Sequence, residues 1–164
     1  EGEPERAHAL ERKAEGLLAA ATLVGERYED LVSTEPSGWD RTSRMEGLLR
    51  EARALDTDVL GPDDVASIFA SGTDGSRIAA LALAEADPRL ATVDLLIDAI
   101  ADSRSSFEQY HGLVAAEKAL RHLGAPDHAR LGAEIEALLA GPLGERSYDR
   151  RTVARRILYE LRSR

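Results

Sequence analysis

The chain of 164 residues contains no cysteine, one methionine, one tryptophan, two phenylalanines and only two lysines among its 21 basic residues. Without cysteine there is no disulfide, no thiolate nucleophile and no cysteine-ligated zinc. With 4% aromatics the core must be filled by aliphatic and small side chains. No apolar run approaches the roughly 18 residues of a membrane span. The longest, 16–24, is interrupted by Thr22. Nor does any stretch alternate apolar and polar residues over six positions with Val, Ile or aromatics, so no strand is expected. What is abundant is Ala, Leu, Glu and Arg, all strong helix formers. Met45 is the only methionine and the chain opens on Glu1, so it is expected to be a piece of a longer polypeptide. The excess of arginine over lysine fits a GC-rich bacterial coding sequence, and a cytoplasmic location is expected.

The net charge of −9 is unevenly spread. Residues 1–53 sum to −4, 54–102 to −8, 103–144 to −1 and 145–164 to +4. An acidic middle opposes nucleic-acid binding, which is dominated by phosphate neutralisation. The basic end is suited to an acidic partner or to the chain's own acidic middle.

Three times a helix-sized apolar stretch runs into a short polar turn and then into a second one. The pairs are 62–71 with 76–86, 91–101 with 106–123, and 127–140 with 147–162, joined by turns at 72–75, 102–105 and 141–146. Their starts lie roughly 29 and 36 residues apart, within the range of helix-pair repeats. Before them, Pro4 suits a first helical turn, and Leu10, Ala14, Leu17, Leu18, Ala21, Val24, Tyr28 and Leu31 recur at three- and four-residue steps to about Val32. Pro36, Ser37 and Gly38 break that helix. A second follows to about Leu55, with Trp39, Met45, Leu48, Leu49, Ala52 and Leu55 assigned to its apolar side. The expected architecture is all-α: about eight helices in one domain, an N-terminal hairpin (1–58) followed by a helix-pair array (62–164) in which stacked pairs share a core.

Core positions expected in the first helices of the pairs are Val65, Ile68 and Phe69; Val93, Leu96, Ile97 and Ile100; and Leu131, Ile135, Leu138 and Leu139. Those in the second helices are Ile78, Leu81 and Ala82; Phe107, Tyr110, Leu113, Val114 and Leu120; and Val153, Ile157, Leu158 and Leu161. Phe107 is expected to be buried against Leu96. Thr73 and Ser147 suit N-caps.

The stretch from Asp74 to Pro88, with Asp74 in the turn, Arg77 soon after and small apolar residues along the helix, resembles HEAT-type repeats. Asp102 and Arg104 repeat the pattern loosely, and Gly141-Pro142-Leu143-Gly144 departs from it. The resemblance covers 62–162 and implies a scaffold or protein-binding solenoid. A second resemblance, carried by 36–46 and 103–111, is to helical regions that accompany TIR-like or caspase-like effector domains in multidomain actinobacterial proteins. It implies a non-catalytic regulatory or recognition part.

Among chemical motifs, Glu5/His8 and Glu108/His111 are Glu-x-x-His pairs. On facing helices, with one further Glu from each of two others, such pairs make a di-metal carboxylate site. Glu5 and His8 fall in the first turns of the chain, however, and Glu46 and Glu51 read as surface positions. Ser71-Gly72-Thr73-Asp74-Gly75-Ser76 lacks the Lys and the preceding strand of a phosphate loop and reads as a helix end running into an N-cap. No Gly-x-Ser-x-Gly elbow occurs. Arg146, Arg150, Arg151, Arg155, Arg156, Arg162 and Arg164 crowd the last helix, where they suit its C-terminal dipole and a solvated face. A DNA-glycosylase-type protein would put such charge on a concave face with aromatics. The expectation is therefore a non-catalytic interaction module with no catalytic residue, metal or cofactor. Its partner would be a protein or a parent-protein domain, with no nucleic acid or membrane, and a second copy could pair through helix 4–32.

Overall fold

A computed structural model describes residues 2–141, 143 and 147–164. They form eight α-helices: α1 (Glu3–Thr34), α2 (Trp39–Arg53), α3 (Pro62–Ala70), α4 (Asp74–Ala86), α5 (Val93–Ala101), α6 (Ser106–Ala119), α7 (Ala125–Ala140) and α8 (Tyr148–Arg162). Single 3-10 turns follow α4 (Pro88–Leu90) and α6 (Leu120–His122). No strand occurs among the described residues. The all-α class and the helix count agree with the sequence expectation. Two compact units divide the chain, residues 1–90 and 91–164. The N-terminal hairpin thus shares a unit with α3 and α4.

In the first unit α4 is the centre. Every residue from 75 to 85 is buried: the helix is apolar or small on nearly all sides, and its two charged residues, Arg77 and Glu85, are buried with it. It is started by Thr73, whose Oγ1 accepts the Ser76 N–H at 3.0 Å, while Ser76 Oγ accepts the Thr73 N–H at 3.2 Å. That reciprocal cap satisfies two donors of the first turn. α1, α2 and α3 pack around α4. The α1–α4 crossing is a glycine contact: a Cβ on Gly75 would lie 1.9 Å from the Gly25 carbonyl oxygen. Beside it, Glu29 Oε1 accepts the Gly75 N–H at 2.6 Å, so α1 caps the start of α4. On the α3 side the buried Arg77 lays its guanidinium 4.2 Å above the Phe69 ring. On the α2 side Arg53 donates to the buried Glu85 at 2.9 Å.

α1 is packed along only part of its 32 residues. Ala21, Val24, Gly25 and Tyr28 are buried, Leu17, Leu18 and Leu31 are half-buried, and residues 2–13 are all exposed. Lys13 marks the edge of the packed part and bonds Asp56 at 2.9 Å and Asp58 at 2.6 Å.

In the second unit α5 and α6 form a hairpin with side-chain caps. Thr92 accepts the Leu95 N–H at 3.3 Å, and Ser105 accepts the Glu108 N–H at 3.0 Å. Packed with α7 and α8, they enclose Leu96, Ile100, Leu113, Leu120, Leu131, Ile135 and Ile157, all fully buried. The buried face of α6 is only partly the expected one: Leu113 and Leu120 are fully buried as expected, but the rest of the face is different. Phe107, Tyr110 and Val114 are half-buried, whereas Glu108, His111, Gly112, Ala115, Ala116 and Ala119 are buried. The reason is a close approach: a Cβ on Gly112 would lie 2.9 Å from Ala99 Cβ. Small side chains turn inward where the two helices meet, and Phe107, Tyr110 and Val114 are left on the flanks. Phe107 stacks on His111 with ring centroids 4.6 Å apart instead of being buried against Leu96. Ile68, Ile97, Leu139 and Leu161 are likewise half-buried. Ser147 precedes α8 as expected, but its side chain makes no cap bond and accepts instead from Arg150 Nη2 at 2.6 Å. Of the turn expected at 141–146, Pro142, Gly144, Glu145 and Arg146 lie outside the described residues.

Candidate functional site

The two Glu-x-x-His pairs have opposite surroundings. Glu5 and His8 stand on the exposed first half of α1, where His8 Nδ1 lies 3.3 Å from Glu11. Glu108 and His111 sit in the interior of the second unit, 1% and 3% exposed. The Tyr110 ring meets His111 edge-on at 5.2 Å. The glutamates weighed as completing ligands are engaged elsewhere: Glu46 lies 4.0 Å from Arg53, and Glu51 is ion-paired with Arg27. Among the described residues no three His, Asp or Glu side chains gather in a metal-holding group.

The glycine-rich stretch at 71–76 is a helix end meeting a cap. Ser71 Oγ donates to the Ile68 carbonyl at 2.7 Å, Gly72 takes a left-handed φ of +95°, and Thr73 begins α4. Next to it a groove of about 820 Å³ opens between α1, α3 and the start of α4. Leu18 and Ile68 supply its apolar lining and Glu26, Glu29 and Asp64 its charge. Two of these carboxylates already hold backbone N–H groups: Glu29 that of Gly75, and Asp64 that of Gly61 at 2.8 Å.

The arginines of α8 are mostly committed within the second unit. Arg150 donates to Gln109 at 2.6 Å and to Ser147. Arg151 donates to the Leu143 carbonyl at 2.8 Å. Arg156 grips Glu117 with two bonds of 2.7 and 2.9 Å, a pairing that raises the Arg156 pKa. Arg162 lies 3.6 Å from Glu136, and Arg164 pairs with Glu160 at 2.6 Å. Arg146 lies outside the described residues. Arg155 is exposed.

Sequence reasoning missed the surface aromatics. Trp39 is 86% exposed, Tyr148 79% and Tyr159 77%. Trp39 opens α2 directly after Gly38. It was assigned to the apolar side of α2, but at about 100° per residue it lies about 120° around the helix from Met45 and about 180° from Leu48. The buried face is Met45, Leu48, Leu49 and Ala52, and Trp39 is left in solvent. Tyr148 and Tyr159 stand on the side of α8 away from the buried Val153 and Ile157. They share a shallow groove of about 770 Å³ with Thr152, Arg155, Arg156 and Glu117. The available signal was the spacing of 148, 152, 155 and 159, which is a second helical stripe on α8.

Comparison with models of protein families, with curated proteins and with solved structures finds no match. No helix among the described residues is long and apolar enough to cross a membrane.

Proposed function

We propose that this chain is a non-catalytic, HEAT-like protein-interaction or regulatory module of a larger bacterial protein. One observation carries the reading. The chain has one Trp, four Tyr and two Phe, and it keeps three of these rings, Trp39, Tyr148 and Tyr159, more than three-quarters exposed. Aromatic side chains bury roughly 150–250 Å² each, so a chain this poor in them gives up much of its packing capacity by leaving three in water. Trp, Tyr and Arg are also the residues that dominate binding energy at protein interfaces. The exposed sites fit that role: Trp39 at the head of α2, and the tyrosines on α8 on either side of Arg155.

The test is affinity capture from an extract of the source cells, comparing the wild-type chain with Trp39→Ala and with Tyr148→Ala/Tyr159→Ala. All three residues are exposed, so melting curves should stay unchanged. The reading expects one or more proteins to be retained by the wild type and lost with at least one variant. Identical retention by all three chains would defeat it.

A further inference from the structure

α1 and α3 both pack on α4 but scarcely touch each other. The furrow between them is the groove of about 820 Å³ beside the start of α4, and all its lining residues belong to the first unit. Leu18 on α1 and Ile68 on α3 line it and are only half-buried. Its charge has one sign. Glu26, Glu29 and Asp64 line it, and no basic residue does. Glu26 is exposed and makes no hydrogen bond or ion pair among the described residues. The nearby cations of α1 are held elsewhere, Lys13 by Asp56 and Asp58 and Arg27 by Glu51. The groove is therefore not neutralised by its own helices.

The two capping carboxylates also set a spacing. Asp64 stands in the first turn of α3, where it accepts the Gly61 N–H, and Glu29 accepts the Gly75 N–H in the first turn of α4. Each bond takes one carboxylate oxygen and leaves the other oxygen and the negative charge. The turn after Ser71 carries the chain from the end of α3 to the start of α4. Acid thus stands at both ends of α3, with the apolar Ile68 between. From Asp64 to Ser71 is about 10 Å of helix at 1.5 Å per residue. We propose that this groove is a docking site for a basic amphipathic helix of a partner protein. Two cations seven residues apart on such a helix share one face and are also about 10 Å apart, matching the acids at the two ends. Apolar residues at the third and fourth positions between them meet Leu18 and Ile68. This is recognition of a helix in a groove, and side-chain ridges of a helix seat naturally between those of two others. Opposite charge on the two surfaces steers and orients the encounter. The site uses none of the exposed aromatics, so it goes beyond the interaction reading above and can fail without it.

The test is selection from a phage-displayed library of random peptides of about 16 residues, about four turns of helix, against the immobilised whole chain. The expected winners carry Lys or Arg seven residues apart, with Leu, Ile or Met at the third or fourth position between them. A synthetic copy of a winner, followed by fluorescence anisotropy, should bind more weakly as salt rises from about 50 mM to about 500 mM. Glu26→Lys and Ser67→Arg, both at exposed positions of the groove, should weaken binding about five-fold or more with unchanged melting curves. Asp149→Lys makes the same change of charge outside the groove and should bind like the wild type. The proposal is overturned if no sequence is enriched, if the winners are acidic or uncharged, or if their basic residues lie three apart as in an extended chain. A winner indifferent to the two groove substitutions overturns it too, as does one weakened equally by Asp149→Lys, which reports only attraction to an acidic chain. Trp39→Ala and Tyr148→Ala/Tyr159→Ala should leave the peptide's affinity unchanged. If they abolish binding while the groove substitutions do not, this inference fails and the interaction reading stands. If the groove binds as described but the aromatic variants retain the same proteins from extract as the wild type, the opposite holds.

Discussion

Three glycines distinguish a helix contact from a helix defect. Gly16 and Gly25 both lie inside α1, where glycine costs about 1 kcal/mol relative to alanine. A Cβ on Gly16 meets nothing within 4 Å, so Gly16→Ala should stabilise the protein by about 0.5–1 kcal/mol. A Cβ on Gly25 would come 2.9 Å from the Gly75 carbonyl carbon and 3.1 Å from the Ser76 nitrogen. Both are backbone atoms that cannot rotate away. Overpacking of this kind costs about 1–3 kcal/mol. After the propensity gain, Gly25→Ala should destabilise by about 0.5–2 kcal/mol. Gly75→Ala is the severe case. Its Cβ would lie 1.9 Å from the Gly25 oxygen and 2.6 Å from the Gly25 carbon, so α1 and α4 must separate by roughly 1.3 Å or more to reach ordinary contact. That movement also stretches the 2.6 Å bond from the Gly75 N–H to Glu29. The expected loss is about 2–4 kcal/mol. Urea unfolding followed by far-ultraviolet circular dichroism should rank the chains Gly16→Ala, wild type, Gly25→Ala, Gly75→Ala from most to least stable. A Gly75→Ala protein as stable as the wild type would refute the α1–α4 crossing on which the first unit is built.

Other outcomes follow from single contacts. Arg53→Met removes one charged partner from Glu85, whose side chain is 2% exposed, and should cost about 1–3 kcal/mol, the range for a hydrogen bond to a buried charged group, read from the urea midpoint. Leu96→Ala, at a fully buried position, should cost about 2–5 kcal/mol, and Phe107→Ala clearly less because Phe107 is only half-buried; the reverse order in urea unfolding would show that α6 is turned the other way. The Lys13 bridge sets two pH limits. Its bonds to Asp58 and Asp56 raise the Lys13 pKa, and Lys13 lowers that of Asp56. The depressed Asp56 contributes stability above its unfolded pKa of about 3.9, which is lost as pH falls through the lower folded value. The raised Lys13 contributes below its unfolded pKa of about 10.4, and loses that contribution as pH rises through the folded value. Urea midpoints of wild type and Lys13→Gln should therefore differ by a constant amount between about pH 5 and 9 and converge toward both extremes. They should also converge in high salt, because the pair is exposed.

Helix boundaries were legible because local chemistry decides them. Pro62 opens α3, and Thr73 closes its own cap with Ser76, both through residues a few positions apart. α4 was placed to within two residues of its start for that reason. Facing was less legible, because it depends on the partner. Counting large apolar residues selects Phe107, Tyr110 and Val114 on α6, but the helix presents Gly112, Ala115, Ala116 and Ala119 to the interior. Close approach of backbones is worth more there than the size of any one side chain. Gly25 and Gly75 show the same effect across 50 residues of sequence. Read alone, Gly25 is a helix-weakening glycine and Gly75 a turn residue, until α1 and α4 are placed side by side.

The surface was hardest to read, for a different reason. α8 carries two stripes, Val153/Ile157 and Tyr148/Thr152/Arg155/Tyr159, and periodicity alone selects the more apolar one as the core. Tyrosine has an apolar ring and a polar hydroxyl, so a solvent-facing Tyr breaks no local rule and gives no warning in the sequence. Trp39 does break one. A lone tryptophan counted with the apolar side of α2 turns out to be 86% exposed, and no packing or capping role accounts for it. In a chain whose His, Asp and Glu side chains form no metal-holding group among the described residues, a misplaced aromatic of this kind is a feature on which function is well sought. Substituting Trp39 should therefore alter binding while leaving stability unchanged. A Trp39→Ala protein that loses more than about 1 kcal/mol, the range of a buried rather than a surface change, would place that ring back among the structural residues.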